Sequence, residues 1–354
     1  MTGSLGVSPP ASDGSGPSGA VLSIGIDIGG TKVAGGVLDE SGNIVVRARR
    51  DTPHRSISPD VVEGTIVDVV GELLGAVDSE RVIAVGIGAA GFVAADRATV
   101  VFAPHLSWRQ EPLRDALQRR IPVPVFVDND ANAAAWAEWK FGAAQGETHL
   151  MMITLGTGIG GGILICGQVV RGKFGIAGEF GHMQVVPGGH RCECGNRGCW
   201  EQYASGNALV REARALVMAN SPVATDLLVR AGGDPQRLTG PMITEAAREG
   251  DPTAVELLGE IGRWLGIGIA NLAAAFDPGT FVIGGGVSAA GDLLLEPARE
   301  SFGRQLTGRG YRPAAAIVAA RLGNEAGMIG AADLAREGVR LGSGAASGST
   351  GAAR

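Results

Sequence analysis

The sequence predicts an α/β protein built as two related domains around a central cleft, and three observations carry that expectation. A plan of strand, glycine turn and strand occurs twice, around IGGTK near residue 30 and around GTGIGGG near residue 158. The chain has 354 residues, beyond the size at which one hydrophobic core keeps growing. Apolar residues make up 45% of it, enough for two cores, and its 58 glycines gather in turns between apolar runs rather than in a repeat.

Charge and hydropathy narrow the function classes. A net charge of −6 gives no general basic field of the kind that binds nucleic acid, and no apolar run reaches membrane-spanning length without a glycine or a charge. The start MTGSLGVSPPASDGSG lacks a basic region followed by an apolar core, so a cytoplasmic, reducing compartment is expected. Residues 1–20 and 341–354 are rich in Gly and Ser and read as disordered tails, leaving about 21–338 as the folded unit. Nothing before residue 21 is expected to hold a helix-turn-helix.

VLSIGID (21–27) reads as a buried strand, IGGTK as a tight turn, VAGGVLD as the next strand, DESGN as a turn and IVVRARR as a third strand. The tip at Gly29 and Gly30 exposes closely spaced backbone N–H groups, an arrangement that cradles phosphate oxygens, and Thr31 and Lys32 add donors. Asp27, just before the tip, is placed to hold Mg2+ through water. The second hairpin, HLMMITL to ILICGQVV, offers Gly156, Thr157, Gly158 and Gly160, with Thr154 beside them. Neither tip has Walker A spacing or opens a helix as a dinucleotide fingerprint does. One such turn would be an ordinary hairpin; two, one in each half, point to a nucleotide held between domains.

VPVFVDNDANAAAWAEWKFG passes from a buried strand into an alanine-rich helix, with Asp128, Asn129 and Asp130 at the junction. Side chains at the carboxyl end of such a strand face a cleft. Asp130 there suits an N-cap, or a base that takes the proton of a hydroxyl attacking phosphorus, while Asn129 offers a donor and an acceptor to sugar hydroxyls. In FVIGGGVS (281–288), Gly284, Gly285 and Gly286 would let a base or ribose lie on bare backbone; a plain strand-to-helix turn explains them equally well. The apolar helix EIGRWLGIGIANLAAAF reads as core.

Three of the four cysteines fall within eight residues, in HMQVVPGGHRCECGNRGCWE (182–201). His182, Cys192, Cys194 and Cys199 suit a tetrahedral Zn2+ site, and a reducing compartment favours metal over a disulfide. His190 competes with His182 on spacing alone. Cys166, in an apolar run, reads as a small buried hydrophobe. Glu179 and Glu201 flank the loop; they are either surface charges or acceptors for vicinal hydroxyls.

Together, DIGGTK (27–32), GIGAAGFV (86–93), APHLSWRQEPL (103–113), VDNDANAAAWAE (127–138), LGTGIGGG (155–162), GEFGHMQVVPGGHRCECGNRGCWEQYASG (178–206) and FVIGGGVS resemble the ROK family, and within it the bacterial glucokinases. The resemblance spans the folded region. It implies an actin-like ATPase fold of the sugar kinase and Hsp70 type. The smaller domain would be 21–130, completed by a helix at 325–338, and the larger 131–324, with the zinc loop at 182–199. It implies transfer of the γ-phosphoryl group of ATP to the 6-hydroxyl of glucose, with Mg2+, a structural zinc and a homodimer or homotetramer. Asp130 would be the general base. Asn129, Glu179, His182 and Glu201 would take the sugar, with Gly91 and His105 near it. The resemblance also selects His182 over His190 for zinc. One departure stands out: His105 occupies APHL where similar glucokinases usually have asparagine near the sugar, which bears on sugar affinity or selectivity. Alternatives of the same family are kinases of mannose, fructose, N-acetylglucosamine or N-acetylmannosamine, polyphosphate as donor, and a sugar-responsive repressor.

Overall fold

The computed structural model describes residues 20–348, with side chains as far as residue 341, so residues 1–19 and 349–354 of the expected tails lie outside the described residues. The first half comprises β1 (Leu22–Ile28), β2 (Lys32–Leu38), β3 (Ile44–Asp51), α1 (Pro59–Gly75) and β4 (Val82–Ala89). There follow a small antiparallel sheet of β5 (Phe92–Val93), β6 (Val100–Phe102) and β7 (Arg109–Glu111), then α2 (Leu113–Gln118), β8 (Val125–Asn129) and α3 (Asp130–Lys140). The second half holds β9 (His149–Leu155), β10 (Ile159–Ile165), β11 (Gln168–Val169), α4 (Glu201–Ala204), α5 (Gly206–Met218), α6 (Thr225–Arg230) and α7 (Gly240–Arg248). It ends with α8 (Pro252–Phe276), β12 (Thr280–Gly284), α9 (Asp292–Gln305), β13 (Ala316–Ala319) and α10 (Ala326–Gly348).

The duplication is explicit in the strand order. One five-stranded sheet runs β3-β2-β1-β4-β8 and the other β11-β10-β9-β12-β13. In each, an antiparallel hairpin leads, and the first strand of that hairpin pairs in parallel with a later strand, β1 with β4 and β9 with β12. Both central strands are buried along nearly their whole length, which is why they read as continuous apolar runs and not as alternating ones. Each half has its own core, around Ile24, Ile26, Ile66 and Leu73 in the first and around Ile153, Leu258, Leu265 and Phe281 in the second.

Two expectations need correction. Cys166 is exposed: the apolar run ILICGQVV is broken by a two-residue turn, Cys166 and Gly167, both at positive φ, that links β10 to β11. The C-terminal helix continues to Gly348, past the expected 338 and into the stretch read as a tail. It lies on the first sheet with backbone against backbone. A Cβ at Gly25 would sit 1.9 Å from the carbonyl oxygen of Met328, one at Gly86 1.8 Å from that of Ala331, and one at Gly330 1.7 Å from that of Ala133 in α3. Arg336, 2% exposed, then pins the helix by donating to Ser23 Oγ and to the carbonyl of Asp39 while paired with Asp333.

Glycine is thus required at 86 for lack of space. Gly86→Ala should cost about 3 kcal/mol in urea unfolding, whereas Gly71→Ala, in the exposed middle of α1 with nothing within 4 Å, should be neutral or stabilise by up to about 1 kcal/mol.

Candidate functional site

Three parallel strands end side by side and carry the polar residues of the site. Asp27 on β1 is level with Gly88 on β4, which is level with Asp128 on β8. The next residues on β8 and α3 are Asn129 and Asp130. The N-cap of α3 is Asn129, whose Oδ1 accepts from the backbone N–H of Asn132 at 3.0 Å, while its Nδ2 donates to the carbonyl of Gly91 at 3.1 Å. Asp130 is therefore the first helical residue and not the N-cap, although its Oδ1 accepts from the N–H of Ala131 at 2.9 Å. Burial pushes its carboxyl up to about 7, and the neighbouring Asp27 charge adds to the shift. Asp27 is itself raised by burial, with Lys32 opposing. A half-buried carboxylate only partly offset by one lysine fits a hydrated Mg2+, a hard cation that keeps several of its waters.

The two tips differ in how they are held. Gly29 closes the first turn through its N–H to the carbonyl of Lys32, and Thr52 straps it from outside, donating to the carbonyl of Gly29 at 2.8 Å. His105 stands against this tip, its Cβ 3.0 Å from where a side chain on Gly30 would begin. In the second tip, Gly156, Thr157 and Gly158 form the turn, and the N–H groups of Gly206 and Asn207 bind the carbonyls of Gly156 and Thr157. Gly160 lies inside β10, where a Cβ would meet Thr154 Oγ1 and Ala131, so its bareness lets β10 approach α3. Gly284 and Gly285 likewise make room for Met152 and the backbone of Leu155. Gly286 alone of that run lines a cavity of about 470 Å³ that opens beside the second tip. Its other walls include Thr157 of the tip itself and Asn207, Thr244, Glu245 and Arg248, residues of α5 and α7 that sequence reasoning missed for want of any motif.

The cysteine loop folds as a ligand cluster. The ligand atoms of His182, Cys192, Cys194 and Cys199 lie within 4.8 Å of one another. His182 Nδ1 is 3.6 Å from Cys192 Sγ, and Cys194 Sγ is 3.6 Å from Cys199 Sγ. Ligands of tetrahedral zinc, at about 2.3 Å for sulfur and 2.0–2.1 Å for nitrogen, stand roughly 3.5–3.8 Å apart, so the set fits the ion and is closed. His190 is not in the cluster; its ring packs on Tyr203. Glu179 precedes the short turn that carries His182, its Oε2 4.0 Å from His182 Nε2, and burial with the Glu201 charge pushes it up to about 7. Glu201, first in α4, reaches between the elements: Oε1 is 3.6 Å from His182 Nδ1 and Oε2 would be 2.5 Å from a Cβ on Gly158.

Two duplicated α/β lobes with paired glycine hairpins are the architecture of the actin-like ATPase fold. The chain belongs to the ROK family, which it matches over residues 23–338. It is 50% identical to a glucokinase of Streptomyces coelicolor over 316 residues, 89% of this chain and 98% of that one. The crystal structure of a ROK family glucokinase from Streptomyces griseus in complex with glucose and AMPPNP superposes with a TM-score of 0.82 at 51% identity, covering 89% of this chain and 99% of that one. A xylose repressor of Bacillus subtilis is 30% identical over 282 residues, 79% of this chain and 68% of its own.

The purified protein should carry about one zinc per chain. Chelation, or Cys199→Ser, should lower the melting temperature by several degrees, since the four ligands tie both ends of the loop to one point; metal analysis and calorimetry read both.

Proposed function

We propose that this chain is a glucokinase, transferring the γ-phosphoryl group of ATP to the 6-hydroxyl of glucose to give glucose 6-phosphate and ADP. The observation that carries the reading is Asp130: a carboxyl at a cleft-facing strand end, raised to about 7, with Asp27 of the first tip's strand near enough to add to that shift and the second tip's strand packed on its helix. In this reading the phosphates of ATP lie along Gly29–Lys32 and Gly156–Gly158, and the nucleoside enters the cavity walled by Asn207, Thr244, Arg248 and Gly286. Asn129, Glu179, His182 and Glu201 receive the sugar hydroxyls, with Gly91 fixing Asn129 and His105 at the edge of the first tip. Asp130 accepts the proton of the 6-hydroxyl as that oxygen attacks phosphorus in line, and a base poised near the working pH suits the task.

Mg2+, held near Asp27, would neutralise charge on the transferring phosphoryl group. Zinc, held by His182 and the three cysteines, would supply rigidity to the loop bearing Glu179 and Glu201, since four protein ligands leave no open position for reactive water. Both glycine tips and the base position are present together, which supports a kinase over a sugar-responsive regulator.

Asp130→Asn should reduce kcat by about 10²–10⁴-fold while glucose still binds; turnover near the wild-type rate would remove the base assignment. Below about pH 7 Asp130 holds a proton and cannot accept another, so kcat/KM should rise with pH through about 7 and then level, as initial rates across pH 5–9 would reveal. ADP release measured over glucose, mannose, fructose and the two N-acetylhexosamines, with ATP and then polyphosphate as donor, should be fastest for glucose and ATP.

A further inference from the structure

The site described so far leaves Asp128 without a role, although it is the most elaborately bonded carboxylate next to it. Asp128 is 3% exposed at the end of β8. Arg171, just after β11, grips it with Nη2 at 2.5 Å and Nε at 3.0 Å from Oδ2, and Arg97, from the β5–β6 connection, adds Nη2 at 3.2 Å. Asp128 Oδ1 also accepts from the N–H of Asn129 and from Asn132 Nδ2. Two guanidinium groups on one buried carboxylate exceed what neutralising it requires, and they arrive from opposite halves of the fold.

What they join is specific. Arg171 opens the loop that ends at Glu179, and its carbonyl accepts from the N–H of Ala177. That loop is laid directly on the 93–95 segment: a Cβ at Gly175 would sit 2.3 Å from the carbonyl oxygen of Val93 and 2.6 Å from the N of Ala95. Arg97, two residues further on, takes a positive φ of 53° and reaches back to Asp128. On the other side, Asp128 is two residues from Asp130, and through Asn132 it bonds the turn that holds the Asn129 amide.

We infer that the Arg97–Asp128–Arg171 cluster is an ionic latch that sets the loop bearing Glu179 against the strand–helix junction bearing Asn129 and Asp130, so that these three are positioning residues for the sugar. The inference rests on the glucokinase reading above, in which those groups take glucose. A latch of this kind acts on glucose more than on ATP, because none of its members lines the cavity beside the second tip.

The test uses the full-length, zinc-loaded protein. Arg171→Met should raise both the calorimetric glucose Kd without nucleotide and the glucose KM by about tenfold or more, a displacement of about 1 Å being enough. KM for ATP should stay within about twofold. Arg171→Lys, which keeps the charge but loses the two-pronged grip, should fall between wild type and Arg171→Met. Asp128→Asn should resemble Arg171→Met, and the double variant should be no worse than the worse single one. If Asp128→Asn does not fold, Arg97→Met replaces it in the cycle. Unchanged glucose Kd in Arg171→Met, an equal loss for ATP, or additive effects in the cycle would overturn the latch. A wild-type chain that binds no glucose would instead strike the functional reading, so the two failures are separable.

Discussion

The close approach of α10 to the first sheet is the constraint on which the remaining geometry depends. Helices normally meet sheets through side chains; here the helix backbone touches β1, β4 and α3 at positions where only hydrogen fits. The same helix starts beside the site: a Cβ on Gly327 would lie 3.1 Å from Asp27 Oδ1. A segment from the end of the chain therefore fixes the height of the strand ends that bear Asp27 and Asp130. The buried Arg336–Asp333 pair, joined by Trp136 Nε1 and Lys140, holds the helix in register along its axis. Such pairs add little net stability, but removing one partner is expensive, which makes them good at excluding alternative registers.

Within that frame the site accumulates negative charge that the fold does not neutralise. Asp27, Asp130 and Glu179 are all raised by burial; the charges of Asp27 and Glu179 add to the shift of Asp130, and that of Glu201 adds to the shift of Glu179. For Asp130 the linkage has a definite sign. A carboxyl near 3.8 in the unfolded chain and near 7 in the folded one is protonated preferentially in the folded state, so its contribution to stability falls as pH rises across that interval. The protein accepts an electrostatic penalty at neutral pH in exchange for a base ready to take a proton.

Much of this was legible from residue order. The twofold plan could be read because buried central strands give unbroken apolar runs and the tips need glycine. The ligand cluster could be read because its donors are close in sequence. What escaped depended on contacts between distant segments. The partners of Asp128 lie 31 and 43 residues away, in loops without a motif. Bare backbone reads the same in a sequence whether it faces a nucleotide or a neighbouring strand, and only the structure shows that side chains at 160, 284 and 285 would meet Thr154 and Ala131, Met152, and Leu155. The exposure of Cys166 followed from a turn hidden inside an apolar stretch.

The contact between Glu201 and Gly158 spans the two sides of the site. One carboxylate belongs to the loop read as the sugar side, and the bare backbone it fills belongs to the tip read as the phosphate side. Any side chain acquired at 158 would displace Glu201, and any lengthening of the residue at 201 would press on the tip. The two surfaces are thus coupled: a side chain at 158 is accommodated only if the Glu201 carboxylate swings away from where it now stands, so a change in the tip is felt on the other side of the site.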